Sequence, residues 1–309
     1  MNMLFKLNIK TYYLNYKVGT HMEVIRTISE LKNRLAKAKG KQLGFVPTMG
    51  YFHEGHTSLM DAARKENDLV VTSVFVNPLQ FGPNEDFEKY PRDESQDIQM
   101  AKHHGVDILF IPTNNDMYPR KMTITMHAES ITSILCGRSR PGHFDGVVTV
   151  LTKLFNLIEP NKVYFGLKDA QQFSVVDNLI KDLNFPIQLV GLPTIREMNG
   201  LAKSSRNVNL TDSERSEAIW LYKSLQAAQQ LIIDGEKCPD KIIHFVKDKI
   251  ITHTTGTIDY VEMYRYPELQ PVTSQIETQI IIAIAVQFSH ARLIDNIIVD
   301  QTGMLIERI

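Results

Sequence analysis

The 309-residue sequence predicts an α/β fold, a parallel sheet with helices on both faces followed by a smaller α+β unit. From Met22 onward, short and nearly uninterrupted apolar runs alternate with longer segments whose apolar residues recur at helical spacing. Strands that read apolar on both faces need cover on both faces, as in Rossmann-like parallel sheets. That rhythm breaks once, in the polar, Gly- and Ser-containing stretch "REMNGLAKSSRNVNL" (196–210). The expected organisation is therefore an extension at 1–21 outside the fold, a Rossmann-like domain at 22–197 and a smaller C-terminal α+β lid domain at 198–309.

Each element has its own signal. Residues 1–21 are basic and rich in Tyr and Asn, and polar residues interrupt them too often for a signal-peptide core. "GTHM" ahead of "EVIRTISELK" reads as a fusion scar before a start at Met22, so deleting 1–21 is expected to leave activity intact. The first predicted strand is "LGFVPT" (43–48), which ends at a Gly50 turn, and a helix opens within "HEGHTSLMDAARKE" (53–66). Further strands are expected at 69–77, 107–112, 162–166 and 187–194, with helices within 93–105, 146–160 and 169–184. In parallel sheets of this kind, ligands bind beyond the carboxyl ends of the strands. Past the break, Thr211 with Glu214 three residues later forms a capping box for a long helix that Gly235 terminates. A helix near 240–252 and strands at 258–266, 279–288 and 293–300 complete the smaller unit.

Composition removes several functions. Lys plus Arg total 34 against 35 Asp plus Glu, so no overall field draws nucleic acid or an anionic membrane. No apolar stretch reaches the roughly 18 residues of a spanning helix. Cys136 and Cys238 lack zinc-site spacing and fit a reducing cytoplasm. "HEGH" is one residue short of the zinc-protease pattern and contains a helix-weakening glycine. The phosphate-loop, dinucleotide-turn and nucleophile-elbow patterns are all absent.

Four stretches remain as candidates. His53 and His56, three apart at a helix start, would share a face beside free backbone N–H groups and the positive end of the helix dipole. Gly50 and Gly55 would clear space for a phosphate there. In "FVNPLQFGPNEDFEKYPRD" (75–93), Asn77 and Gln80 stand at a strand end, where neutral amides can bond a hydroxyl or carboxylate. "VYFGLKDAQQF" (163–173) repeats the strand, glycine and helix-start pattern with Lys168 and the amides of Gln171 and Gln172. "LAKSSRNVNL" (201–210) aligns Lys203, Ser204, Ser205 and Arg206, and an arginine fork can clamp phosphate oxygens. His143 in "RPGHFDG" is read as a loop residue before a helix near Gly146, and His103 and His104 as surface residues. Taken singly, each stretch also fits ordinary turn or surface chemistry; their repetition at strand ends favours an anion site.

Together "PTMGYFHEGH", "FVNPLQFGPNEDFEKYPRD", "RPGHFDGVVTVL", "VYFGLKDAQQ", "AKSSRNVNL" and "ARLIDN" resemble the pantoate–β-alanine ligase family of the HxGH nucleotidylyl-transferase superfamily, from about Met22 to the C-terminus. The resemblance implies pantothenate synthesis from pantoate, β-alanine and ATP with Mg²⁺, through an enzyme-bound pantoyl adenylate, in a cytoplasmic homodimer. It implies ATP contacts from Met49, Gly50, His53, Gly55, His56, Gly166, Leu167, Lys168, Asp169, Ile195 and Lys203 to Arg206. His56 is the implied proton donor, with His53, Lys168 and Arg206 as the further catalytic groups and positive charge expected from all four. Gln80, Gln172, Asn77 and His143 are the implied pantoate and β-alanine contacts, and the metal ligands are left open. The sequence departs from the family pattern at Tyr51-Phe52, where Ala-Leu is commoner, at Leu167, which replaces an acidic residue, and at Lys203, often Leu. Another adenylyl or cytidylyl transferase, or a nucleotide-sensing module without turnover, would share the HxGH stretch.

Overall fold

The computed structural model describes residues 22–82, 85 and 87–309; the expected fusion scar lies outside the described residues. The chain runs β1 (Glu23–Ile25), α1 (Ile28–Ala36), β2 (Leu43–Thr48), α2 (Glu54–Glu66), β3 (Leu69–Val74), α3 (Glu94–His103) and β4 (Ile108–Phe110). It continues through α4 (Asn114–Met117), α5 (Leu135–Ser139), α6 (His143–Ile158), β5 (Lys162–Gly166), α7 (Ala170–Asp182) and β6 (Gln188–Leu192). These six strands form one parallel sheet in the order β1-β4-β3-β2-β5-β6. One face packs on α2 and α3 through Phe52, Met60 and Ala101, and the other on α6 and α7 through Val147, Leu151 and Val176. The α/β class expected from the apolar runs is the class observed.

After β6 the chain enters a hairpin-like turn in which Arg196 and Ala202 bridge, and then forms α8 (Asp212–Ile233) and α9 (Pro239–His253). The anticipated box starts α8: Thr211 Oγ1 accepts from the Glu214 N–H, and the Glu214 carboxylate accepts from the Thr211 N–H. A three-stranded antiparallel sheet of β7 (Thr257–Arg265), β8 (Ile280–Gln287) and β9 (Arg292–Val299) follows. Central β8 is buried on both sides. Ile280, Ile282, Ile284 and Val286 pack under α8 and α9, while Ile281, Ala283 and Ala285 join the core of the parallel sheet, the alternation a strand imposes. The chain end also returns: Ile309 exchanges backbone hydrogen bonds with Gly191 of β6.

Several boundaries differ from expectation for local reasons. β1 has three residues, too few for periodicity to reveal. β3 stops at Val74; the Phe75 N–H still donates to the Thr48 carbonyl of β2, and Asn77 then caps a 3₁₀ turn at Pro78–Gln80 that leads the chain away. The helix expected near Gly146 begins at His143, so that histidine is helical rather than in a loop. Gly146 is no helix break but a point of close approach: a Cβ there would lie 2.3 Å from the Leu79 carbonyl oxygen.

Candidate functional site

The crevice that forms the site begins as incomplete strand pairing. Chain order reverses at β2, which has β3 on one side and β5 on the other. β2 pairs with β3 along its whole length but with β5 only at Gly44↔Lys162 and Phe45↔Val163. Pairing stops before Pro47, which has no N–H to offer, and the two strand ends separate at the topological switch point. A cavity of about 250 Å³ opens there. It shares Arg140, His143, Lys168, Asp169, Gln172, Ser204 and Arg206 with a second cavity of about 520 Å³ beside the antiparallel sheet.

The β2 loop supplies the imidazoles. His53 is the N-cap of α2, and its Nδ1 accepts from the Gly55 N–H at 3.1 Å. His56 Nδ1 accepts from the His53 N–H at 3.3 Å, so the pair forms a capping box of two histidines. With each Nδ1 an acceptor, the proton of each neutral ring must sit on Nε2. The ring centroids are 4.1 Å apart. Burial, then Lys168, pushes His53 down to about 4, and burial, then His53 and Lys168, pushes His56 down to about 3. Near pH 7 both rings are therefore neutral N–H donors. This corrects the expectation that they bring positive charge, which instead resides on Lys168, Lys203, Arg206 and Arg140.

The glycines also work differently from expectation. Gly50 (φ +83) lies off the cavity; a Cβ there would strike the Asp97 carboxylate and Val74, each at 2.8 Å. Asp97, buried on α3, accepts from the Tyr51 and Phe52 N–H groups at 2.9 and 2.7 Å and so holds the turn that leads to His53. Burial raises its carboxyl above the usual range, while those two N–H groups oppose the shift. Gly55 makes room for the His53 ring, whose Cε1 would be 2.8 Å from a Cβ.

The amide and loop residues divide into those that line the crevice and those that support them. Met49, Gln80, Gly166, Lys168, Asp169, Gln172, Ile195, Lys203, Ser204, Ser205 and Arg206 line the smaller cavity with both histidines. Asn77 does not. Its carbonyl accepts from Tyr118 Oη and the Leu79 N–H, and its amide donates to Gln80 Oε1 and the Gly146 carbonyl, so all its capacity is used in steadying Gln80. Leu167 likewise buries its side chain near Gly191 and Phe173. The Gln171 amide donates to the Ile131 and Ile134 carbonyls. His143 borders the cavity, yet its Nδ1–H donates to the Gln80 carbonyl at 2.8 Å and its Nε2 accepts from Arg140 at 3.0 Å. Both nitrogens are engaged, so the expected substrate contact becomes a support. Burial and Arg140 hold its ring down at about 4.

Arg140 was missed in the sequence. Its guanidinium donates to both oxygens of Glu85, at 2.8 and 2.5 Å, tying the loop after β3 to the cleft. Desolvation works against the Glu85 charge, but Arg140 outweighs it and leaves the carboxyl below its ordinary value. Lys168 pairs with Asp169 at 3.4 Å, and Lys203 reaches across the cleft to Glu54 at 3.1 Å. The result is a crevice of neutral N–H donors ringed by cations, suited to aligning two anions without an enzyme nucleophile.

The family model for pantoate-beta-alanine ligase matches residues 23–298. A pantothenate synthetase of Bacillus subtilis (strain 168) is 58% identical over 281 residues, covering 90% of this chain and 98% of that protein. Among solved structures, a pantothenate synthetase from Thermus thermophilus aligns with a TM-score of 0.84 at 41% identity, covering 89% of this chain and 98% of that one. A pantoate-beta-alanine ligase from Francisella tularensis, complexed with beta-gamma ATP and beta-alanine, aligns at 0.72 and 34%, covering 89% and 97%.

Proposed function

The chain belongs to the pantoate-beta-alanine ligase family, and from that premise we propose that this ligase forms pantothenate from (R)-pantoate, β-alanine and ATP through an enzyme-bound pantoyl adenylate. One observation carries the reading: the histidine pair, the Lys168 turn and the 203–206 segment converge on one crevice at the switch point. The relative complexed with beta-gamma ATP and beta-alanine supports the choice of ligands.

A pantoate carboxylate oxygen attacks the α-phosphorus of ATP, the bond to the bridging oxygen breaks and pyrophosphate leaves. The β-alanine amine then attacks the acyl carbonyl, loses a proton and expels AMP. Nε2–H of His56 is the proton donor at the phosphates, with His53 beside it and Lys168 and Arg206 neutralising charge. Gly166, Lys168, Asp169, Ile195 and Lys203 to Ser205 hold the nucleotide with Met49, and Gln80 and Gln172 bind pantoate. Mg²⁺ would be held with ATP, and Asp169 would give it one cleft carboxylate: desolvation works against that charge, but Lys168 and Arg206 leave the carboxyl below its ordinary range, and Mg²⁺ commonly takes one carboxylate with phosphate and water ligands. When bound, it would offset the charge of the departing pyrophosphate. The segment around Glu85 and the 198–309 unit would cover the adenylate against water. We place the enzyme in the cytoplasm as a homodimer; no described helix is long and apolar enough to cross a membrane.

The decisive assay supplies ATP and pantoate with and without β-alanine. Pyrophosphate should depend on pantoate, and AMP should accumulate only after β-alanine is added. Release of a nucleotidylated product instead would assign the chain to another nucleotidylyl-transferase reaction. Folded His56→Ala and Lys168→Ala proteins should lose about 100- to 1000-fold in turnover; near-normal rates would overturn these roles.

A further inference from the structure

The motif "ARLIDN" ends in two adjacent polar residues of β9 that border the larger cavity but not the histidine crevice. Asp295 and Asn296 are both buried, and as neighbours in a strand they leave opposite faces of the sheet. Their partners on β8 fit this arrangement. Asp295 pairs with Ile284, on the side facing α8, and Asn296 with Ala283, on the side facing the parallel sheet.

Each side chain grips a different segment of the crevice. The Asn296 amide donates to two successive carbonyls, Leu167 at 3.0 Å and Lys168 at 2.9 Å, and so fixes the turn that aims Lys168. Asp295 receives a bidentate fork from Arg196 at 2.7 and 2.9 Å. That arginine lies over the Tyr222 ring at 3.4 Å and also donates to the Gly200 carbonyl. It begins the hairpin closed by the Arg196–Ala202 bridge and by the Lys203 N–H donating to the Ile195 carbonyl at 2.9 Å. Lys203 to Arg206 follow directly. The Asn296 N–H also donates to Asp295 Oδ1 at 2.8 Å, which links the two arms.

We propose that Asp295 and Asn296 are positioning residues for the nucleotide, a two-armed strut through which β9 sets the spacing between the Lys168 turn and the Lys203–Arg206 segment. The proposal rests on the ATP-dependent reading above. Both residues border the larger cavity, but their hydrogen bonds go to backbone and guanidinium groups of the two segments, and it is through those segments that they act on the nucleotide. Misplacing a charged group by about 1 Å can cost on the order of 100-fold in rate.

The test is a double-mutant cycle read as the dissociation constant for ATP without pantoate, so that an inactive variant remains measurable. Asn296→Ala should weaken ATP binding about 10-fold in the wild-type background and less than about 3-fold in Lys168→Ala. It should raise KM for ATP and lower the rate of pantoate-dependent pyrophosphate release while leaving KM for β-alanine unchanged. Asp295→Asn should couple in the same way to Arg206→Ala. Should Asn296→Ala fail to fold, Asn296→Ser, which keeps one donor but is too short for both carbonyls, serves instead. Equal losses in both backgrounds, or unchanged ATP affinity in a folded variant, would overturn the strut. A wild-type enzyme that binds ATP but releases no pantoate-dependent pyrophosphate would instead overturn the proposed function.

Discussion

At His53 and His56 the helix and the chemistry share one ring each. Nδ1 satisfies a backbone N–H that the first turn of α2 would otherwise leave unpaired, and Nε2–H stays available to a ligand. The sequence showed two imidazoles on one face but not their charge, because burial and cations contributed by distant segments decide that. His53, His56 and His143 titrate at about 4, 3 and 4 against an ordinary 6.5. Between those values the unfolded chain binds more protons than the folded one, so stability is full above about pH 6.5 and declines as pH falls toward 4. The melting temperature should therefore drop across that window, and His143→Asn should flatten the drop. A profile unaffected by the substitution would show that His143 is not buried in neutral form.

At the scale of elements, the long strands and the capped helices were legible because their patterns are local: "LGFVPT" and the Thr211–Glu214 box lie where expected. Supporting contacts were not legible, since Asp97, Arg140 and Asn296 act on segments 45, 55 and 128 residues away. Gly146 illustrates the difference. Helix propensity alone favours alanine there by about 1 kcal/mol. Yet a Cβ would enter the Leu79 and Gln80 backbone at 2.3 to 2.5 Å, and overpacking of that kind costs about 1–3 kcal/mol. Gly146→Ala is thus expected to lower the melting temperature and, by shifting Gln80, to raise KM for pantoate several-fold while ATP affinity holds. Equal changes in both constants would mean that the 3₁₀ turn does not serve pantoate alone.

For the whole molecule, the break at 196–210 was visible as a change of composition, but the continuity beneath it was not. β8 contributes to two cores, and Arg308 pairs with Glu66 while Ile309 pairs with Gly191. An isolated 198–309 fragment would expose Ile281, Ala283 and Ala285 to water. It should aggregate or bind a hydrophobic dye, and a soluble fragment with a cooperative melt would argue for an independently folding unit.

The same seam limits how the enzyme can shut. Because one row of β8 is anchored beneath α8 and α9 and the next row is set into the other core, the antiparallel sheet is poorly placed to swing open like a door. In the proposed reaction, shielding the adenylate would therefore fall mainly to the segment that Arg140 holds through Glu85.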